Sequence, residues 1–132
     1  MIIDASIAFR WIFVEEGSDA ATALIGRDDL RAPSFLLAEI GNAMWKKSRL
    51  GELGDRDAYS AQVALVGSLI ELVDEALDIP RALEIAIKLN HAIYDCIYLA
   101  LAERLDETLM TGDAKFAAKV RTSAFAPLLK LQ

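Results

Sequence analysis

The sequence predicts an α/β domain built on a short parallel sheet, and three observations lead there. Brief apolar runs at Met1–Ile3 and Thr108–Thr111 stop against an acid or a glycine turn. Stretches with helix start and stop signals separate these runs. One of those stretches, Cys96 to Ala102, is apolar or aromatic at every position, so its helix has no wet face and belongs in the core. Strands separated by helices imply right-handed crossovers and a parallel sheet covered on both faces.

Taken in order, Met1 to Ile3 reads as a buried strand stopping at Asp4. Ser6 then caps a helix to about Val14, ended by Gly17. Ser18 or Asp19 starts a second helix through Ile25, and Leu30 to Ala32 forms a brief strand after the turn at 26–29. Pro33-Ser34 opens a helix from Phe35 to about Arg49, with Lys46, Lys47 and Arg49 favourable in its last turn and Gly51 as its stop. Gly54-Asp55 caps a helix over roughly Arg56 to Ser68, and Glu71 to Asp74 is a strand. Pro80 sits at the first position of a helix reaching Leu89. After the apolar helix come a strand at 108–111, the Gly112-Asp113 turn, a helix from Ala114 to Val120 and a last strand at 124–127. There is no internal repeat, low-complexity tract or linker, so a single domain over 1–132 is expected.

Composition narrows the function. The 132 residues are 55% hydrophobic with a mean hydropathy of +0.31, which suits a compact protein with a partner surface. A net charge of −6 argues against nucleic-acid binding by bulk charge, but not against an enzyme that meets phosphate through metal ions. The lone Cys96 excludes an internal disulfide, and with one His91 a Cys/His zinc cluster is excluded too. Met-Ile-Ile-Asp lacks the basic region and long apolar run of a signal peptide, and no apolar run reaches membrane-spanning length. A cytoplasmic location without a membrane is expected.

Four acids stand in apolar company. Asp4 and Asp113 follow strands that would end on the same edge of a parallel sheet, where sites form in open α/β folds. Asp95 heads the apolar helix, and Glu39 has Phe35, Leu36, Asn42 and Ala43 as its helical neighbours. Singly, each has a structural reading: Asp4, Asp95 and Asp113 as helix caps, Glu39 as a solvent-facing side chain. Together and without a counter-ion they would repel, and some would protonate. A hard divalent cation with oxygen ligands removes that cost, and Mg²⁺ or Mn²⁺ prefers such ligands.

Read together, Ile3-Asp-Ala-Ser6, Pro33-Ser-x4-Glu39, Tyr94-Asp-x2-Tyr-Leu-Ala-Leu-Ala102 and Leu109-Met-Thr-Gly-Asp-x2-Phe116 resemble a PIN-domain ribonuclease. More narrowly they resemble the VapC toxins of bacterial toxin–antitoxin pairs. The resemblance spans nearly the whole chain with its motifs in family order. It implies a PIN-like three-layer α/β/α fold with a central parallel sheet of four to five strands, and a Mg²⁺-dependent endoribonuclease, with Mn²⁺ a possible substitute. By position, Asp4, Glu39, Asp95 and Asp113 correspond to the family's acidic quartet, with Asp4, Asp95 and Asp113 as metal ligands. Ser6 and Thr111 correspond to its hydroxyls. Some relatives have a further acid where this chain has Lys115, so one firmly held ion is the expectation.

Arg10, Lys46, Lys47, Arg49 and Lys115 are candidate contacts for RNA phosphates, against the alternative of solvated helix faces. Single-stranded or looped RNA suits such a module better than duplex. The resemblance also implies a homodimer and a cognate antitoxin, whose helix would lie along apolar stripes holding Phe9, Trp11, Ile12, Phe13 and Trp45. Two other readings stay open. A phospho-receiver domain would need paired acids after the first strand and a Lys after the last site strand, and Asp4-Ala-Ser6 with Asp113 does not supply them. A catalytically inactive PIN fold acting as a binding module is the other.

Overall fold

The computed structural model describes residues 1–52, 54 and 57–132. The strands are β1 (Ile2–Ile3), β2 (Arg31–Pro33), β3 (Glu71–Val73), β4 (Leu109–Thr111) and β5 (Leu129–Leu131). The helices are α1 (Ala5–Phe9), α2 (Ser18–Thr22), α3 (Leu36–Arg49), α4 (Asp57–Ser68), α5 (Ile79–Leu89), α6 (Ile93–Leu105) and α7 (Ala114–Arg121). Single 3₁₀ turns at Ala76–Asp78 and Ala126–Leu128 lead into α5 and β5. The five strands pair in parallel in the order β3-β2-β1-β4-β5, an α/β architecture as expected. From β1 the chain builds outward to β2 and β3, then returns to lay β4 on the other side. The topological switch point therefore lies between the carboxyl ends of β1 and β4.

The apolar run at the centre of the sequence behaves as its composition demands. Every residue of α6 from Cys96 to Ala102 is buried, and the helix packs on β1, β2 and β4. Burial also pushes the Cys96 thiol up to about 11, so it is an inert small hydrophobe there. Among the described residues, no single helix is long and apolar enough to cross a membrane.

Several boundaries differ from expectation for identifiable reasons. The first helix ends at Phe9 instead of continuing to Val14. Beyond it the backbone tightens to i→i+3 bonds, from Arg10 N to Ile7 O (3.1 Å) and from Trp11 N to Ala8 O (3.1 Å). That turn lets the Trp11 indole donate to Ala21 O at 2.8 Å, tying α2 beneath it. Gly17 does not close the first helix but opens α2, with φ of +85° and the Arg10 guanidinium where a Cβ would stand. The last strand lies at 129–131, not 124–127, because Pro127 has no N–H for a sheet ladder and the chain makes a 3₁₀ turn first. Of the Gly54-Asp55 cap expected for the fourth helix and its expected first residue Arg56, Asp55 and Arg56 lie outside the described residues.

An ion pair between a buried carboxylate and an exposed guanidinium locks α6 to the start of α5. Asp78 is 2% exposed, and Arg104 donates to both its oxygens, Nε at 2.7 Å and Nη2 at 2.9 Å. Removing Arg104 strands the Asp78 charge away from water. Arg104→Ala is therefore expected to cost on the order of 2–4 kcal/mol, read as a lower urea midpoint at unchanged m-value.

Candidate active site

The carboxyl ends of β1 and β4 meet in register, with Ile2 opposite Leu109 and Ile3 opposite Met110, so Asp4 stands beside Thr111. Asp4 leaves the strand in an extended conformation and caps α1, its Oδ1 accepting from the N–H groups of Ser6 (3.0 Å) and Ile7 (3.3 Å). Of the two capping readings the sequence offers, Asp4 and Ser6, the cap is Asp4, because the extended residue just before the first turn is the one whose side chain can reach back. Ser6 instead donates its hydroxyl to the same carboxylate oxygen. Thr111, fully buried, also hydrogen-bonds Asp4 through its side chain. Each hydroxyl is oriented by the loop after β4: Gly112 N donates to Ser6 Oγ at 2.7 Å and Asp113 N to Thr111 Oγ1 at 3.0 Å. With an acceptor position on each hydroxyl taken by backbone, the protons turn to Asp4.

Burial pushes the Asp4 carboxyl up to about 6 despite the hydrogen bonds from Ser6, Thr111 and the Ile7 N–H, and Asp95 adds to the rise. Glu39, on the first turn of α3, is pushed up to about 7, again chiefly by burial. The Tyr98 hydroxyl donates to Glu39 Oε2 and opposes the rise, while Asp95 and Asp4 reinforce it. Tyr98 comes from the buried face of α6, its ring 5.3 Å from that of Phe35. Asp95, one turn earlier, is 36% exposed and pairs with His91 Nε2 at 2.6 Å. His91 is placed by the end of α5. Asn90 adopts a left-handed φ of 47°, the His91 N–H returns to Ala86 O at 3.1 Å, and the imidazole lies 4.8 Å from the Phe116 ring.

Asp4, Glu39 and Asp95 thus form one electrostatic cluster with Ser6 and Thr111 around it. Asp113 is different. It is exposed and caps α7, Oδ1 accepting from Lys115 N (2.8 Å) and Phe116 N (3.0 Å), and it is not among the charges that shift Asp4 or Glu39. Among the described residues, no three His, Cys, Asp or Glu side chains form a ready-made metal cage. Tyr98 and His91 belong to this site although the sequence assigns neither a role in it. Their signal was spacing alone, Tyr98 three residues after Asp95 on one helical face and His91 four before it.

The five candidate cations are dispersed. Arg10 is turned inward, its guanidinium against Gly17 and Gly112, with Nη1 buried and Nε 3.4 Å from Glu15. Lys47 lies over the Phe13 ring at 4.9 Å and 3.3 Å from Glu52, and Arg49 over the Trp45 ring at 5.1 Å. Lys46 lines a cavity beside Glu39, and Lys115 is exposed on the first turn of α7.

The PIN domain family model matches residues 1–121. The chain belongs to the PIN domain family. Ribonuclease VapC1 of Mycobacterium tuberculosis is 36% identical to it over 90 residues, 66% of this chain and 65% of that protein, so the match spans slightly less than two thirds of that relative. Ribonuclease VapC3 of Pyrobaculum aerophilum is 28% identical over 122 residues, covering 90% of this chain and 93% of the relative. Exonuclease VapC9 of the same organism is 30% identical over 95 residues, covering 72% and 70%. The crystal structure of PAE2754 from Pyrobaculum aerophilum superposes with a TM-score of 0.73 at 27% identity, covering 89% of this chain and 77% of that one.

In this PIN domain the buried acids bear on stability. An acid whose pKa is raised on folding binds its proton more tightly in the native state, so its contribution is full below pH 4 and is lost as pH rises through 6 for Asp4 and 7 for Glu39. Asp4→Asn keeps a capping side chain but removes that titration. In chelator-treated protein, the melting temperature of the variant relative to wild type is expected to climb by several degrees between pH 5 and pH 8.

Proposed function

We propose that this PIN domain is a VapC-type toxin, a metal-dependent endoribonuclease that hydrolyses RNA phosphodiester bonds. The observation that carries this reading is the cluster itself: three carboxylates at the switch point, two of them pushed toward neutrality chiefly by burial and further by the neighbouring acids. The names of the VapC relatives, ribonuclease and exonuclease, support the reaction class.

The donor set suits Mg²⁺ or Mn²⁺. All its groups are hard oxygens, and a small cation that keeps several waters needs only one or two direct carboxylates, in line with the lack of a closed cage. Asp4 and Asp95 would hold the ion, with Asp113 reaching it through water from the rim. When bound, the ion supplies a lowered water pKa and charge neutralisation at the scissile phosphate.

The protein's own groups do the rest. Ser6 and Thr111 fix the Asp4 carboxylate so that its free oxygen faces the site, and His91 fixes that of Asp95. Glu39, held by Tyr98 and poised near neutral pH, accepts the proton of the attacking water. No 2′-hydroxyl acts as nucleophile, so 5′-phosphate and 3′-hydroxyl ends result.

As a toxin the protein would be held in check by a cognate antitoxin and would act in the cytoplasm, as a homodimer. Of the apolar residues considered for antitoxin contact, Trp45 is 53% exposed, and Phe9, Trp11, Ile12 and Phe13 are half-buried. Trp45 borders a 430 Å³ groove between α3 and α4 with Tyr59 and Val63, a surface an apolar helix face can fill.

Asp4→Asn and Asp95→Asn are each expected to abolish Mg²⁺-dependent cleavage of single-stranded RNA with circular dichroism unchanged. Wild-type cleavage by either purified variant refutes the assignment. Millimolar Mg²⁺ is expected to raise the wild-type melting temperature more at pH 8 than at pH 5, because protonated Asp4 and Glu39 compete with the ion at low pH.

A further inference from the structure

A cavity of about 380 Å³ opens directly beside the acid cluster, between α1 and α3. Its walls are two helical stripes. One carries Ala5, Ser6 and Phe9, and the other carries Glu39, Ile40, Asn42, Ala43 and Lys46. The spacing of 39, 42, 43 and 46 puts that second set on one face of α3. Ser6 and Glu39 belong to both the cavity and the acid cluster, so whatever occupies the cavity touches the reaction centre.

The lining selects for a flat, neutral, partly apolar group. Ala5, Phe9, Ile40 and Ala43 supply an apolar floor and an aromatic ring. Glu15 and Glu39 add two carboxyl groups that repel a phosphate. The Asn42 side-chain amide is exposed at the cavity, where its NH₂ donor and carbonyl acceptor stand side by side. Lys46, two turns beyond Glu39 and about 10 Å along the axis, puts a cation at the far end.

We propose that this groove seats a nucleobase of single-stranded RNA next to the scissile phosphate, with Asn42 reading its edge and Lys46 holding the following phosphate. The inference rests on the nuclease reading and adds a base subsite to it. An Asn amide can make two hydrogen bonds to adenine, whose exocyclic amine and neighbouring ring nitrogen offer a complementary pair. Unpaired bases splayed from single-stranded RNA are free to enter such a groove and stack on an aromatic wall.

Two measurements test it. In an NMR titration of the wild-type protein with adenosine 5′-monophosphate, the Asn42 side-chain amide and the Ala5 and Ala43 methyl signals are expected to shift. Ribose 5-phosphate, which lacks the base, is expected to leave them in place. Equal shifts with both ligands, or a silent groove, overturn the proposal whether or not the protein cleaves RNA. On randomised single-stranded RNA with Mg²⁺, wild type is expected to favour adenine at one position beside the cut, and Asn42→Ala to flatten that preference by roughly 5- to 150-fold. A base profile unchanged by the substitution also overturns it. If wild type cleaves nothing while the adenosine 5′-monophosphate shifts appear, the nuclease reading fails and the base subsite stands.

Discussion

The Asp4 carboxylate sits at the end of the central strand with two hydroxyls aimed at it. Both hydroxyls are held by backbone N–H groups from the loop after the neighbouring strand. This arrangement joins β1 to the β4–α7 loop by side chains just where the ladder between them ends. It depends on the parallel register of β1 on β4, since a slip of one residue would carry Asp4 past Thr111 and turn its side chain to the other face. The acid that begins the first helix is therefore also the one around which the strand ends are organised. Its desolvation is offset by four donors and still leaves the carboxyl near pH 6.

Around that anchor, the fold supplies the other acids from elements that have no choice of position. Helix α6 is buried along seven consecutive residues, so its first turn must lie over the sheet, and Asp95 with it. Tyr98 on the same helix must satisfy its hydroxyl in an apolar environment, and Glu39 is the partner it meets. Each acid is thus held by a neutral or aromatic neighbour, never by a lysine or arginine. The Asp78–Arg104 pair shows the contrasting solution, a carboxylate needed only for structure and given a bidentate guanidinium. That difference separates the acids of the site from Asp78, the other buried carboxylate among the described residues.

Much of this is legible in the sequence. Apolar runs that stop dead at Asp4 and at Gly112-Asp113 mark strand ends, and the wholly apolar helix marks the core, because both follow from local composition. The parts that escaped depend on contacts between distant segments or on a single backbone torsion. Nothing in the letters around Glu39 shows that Tyr98 crosses over it. The pairing of His91 with Asp95 requires Asn90 to adopt a left-handed conformation, which Asn tolerates but does not announce. Arg10 looks like a free cation in sequence, yet Gly17 and Gly112 leave room for its guanidinium to fold inward. The late position of β5 follows from Pro127, a signal that was present and outweighed by the apolar letters around it.

The placement of Asp113 bears on how such a site would be completed. Its Oδ1 serves two backbone N–H groups of α7, so Oδ2 is its only oxygen not engaged by the helix, and the side chain stands exposed at the rim. A carboxylate held this way can take part in a solvated coordination shell without leaving its cap. Asp4 and Asp95, in contrast, are already committed by burial and by His91. In the proposed metal site Asp4 and Asp95 would be the inner pair, and the outer acid would serve as a water-mediated ligand. This division agrees with a small ion that keeps most of its hydration, and it leaves the opposite wall, between α1 and α3, open to the substrate.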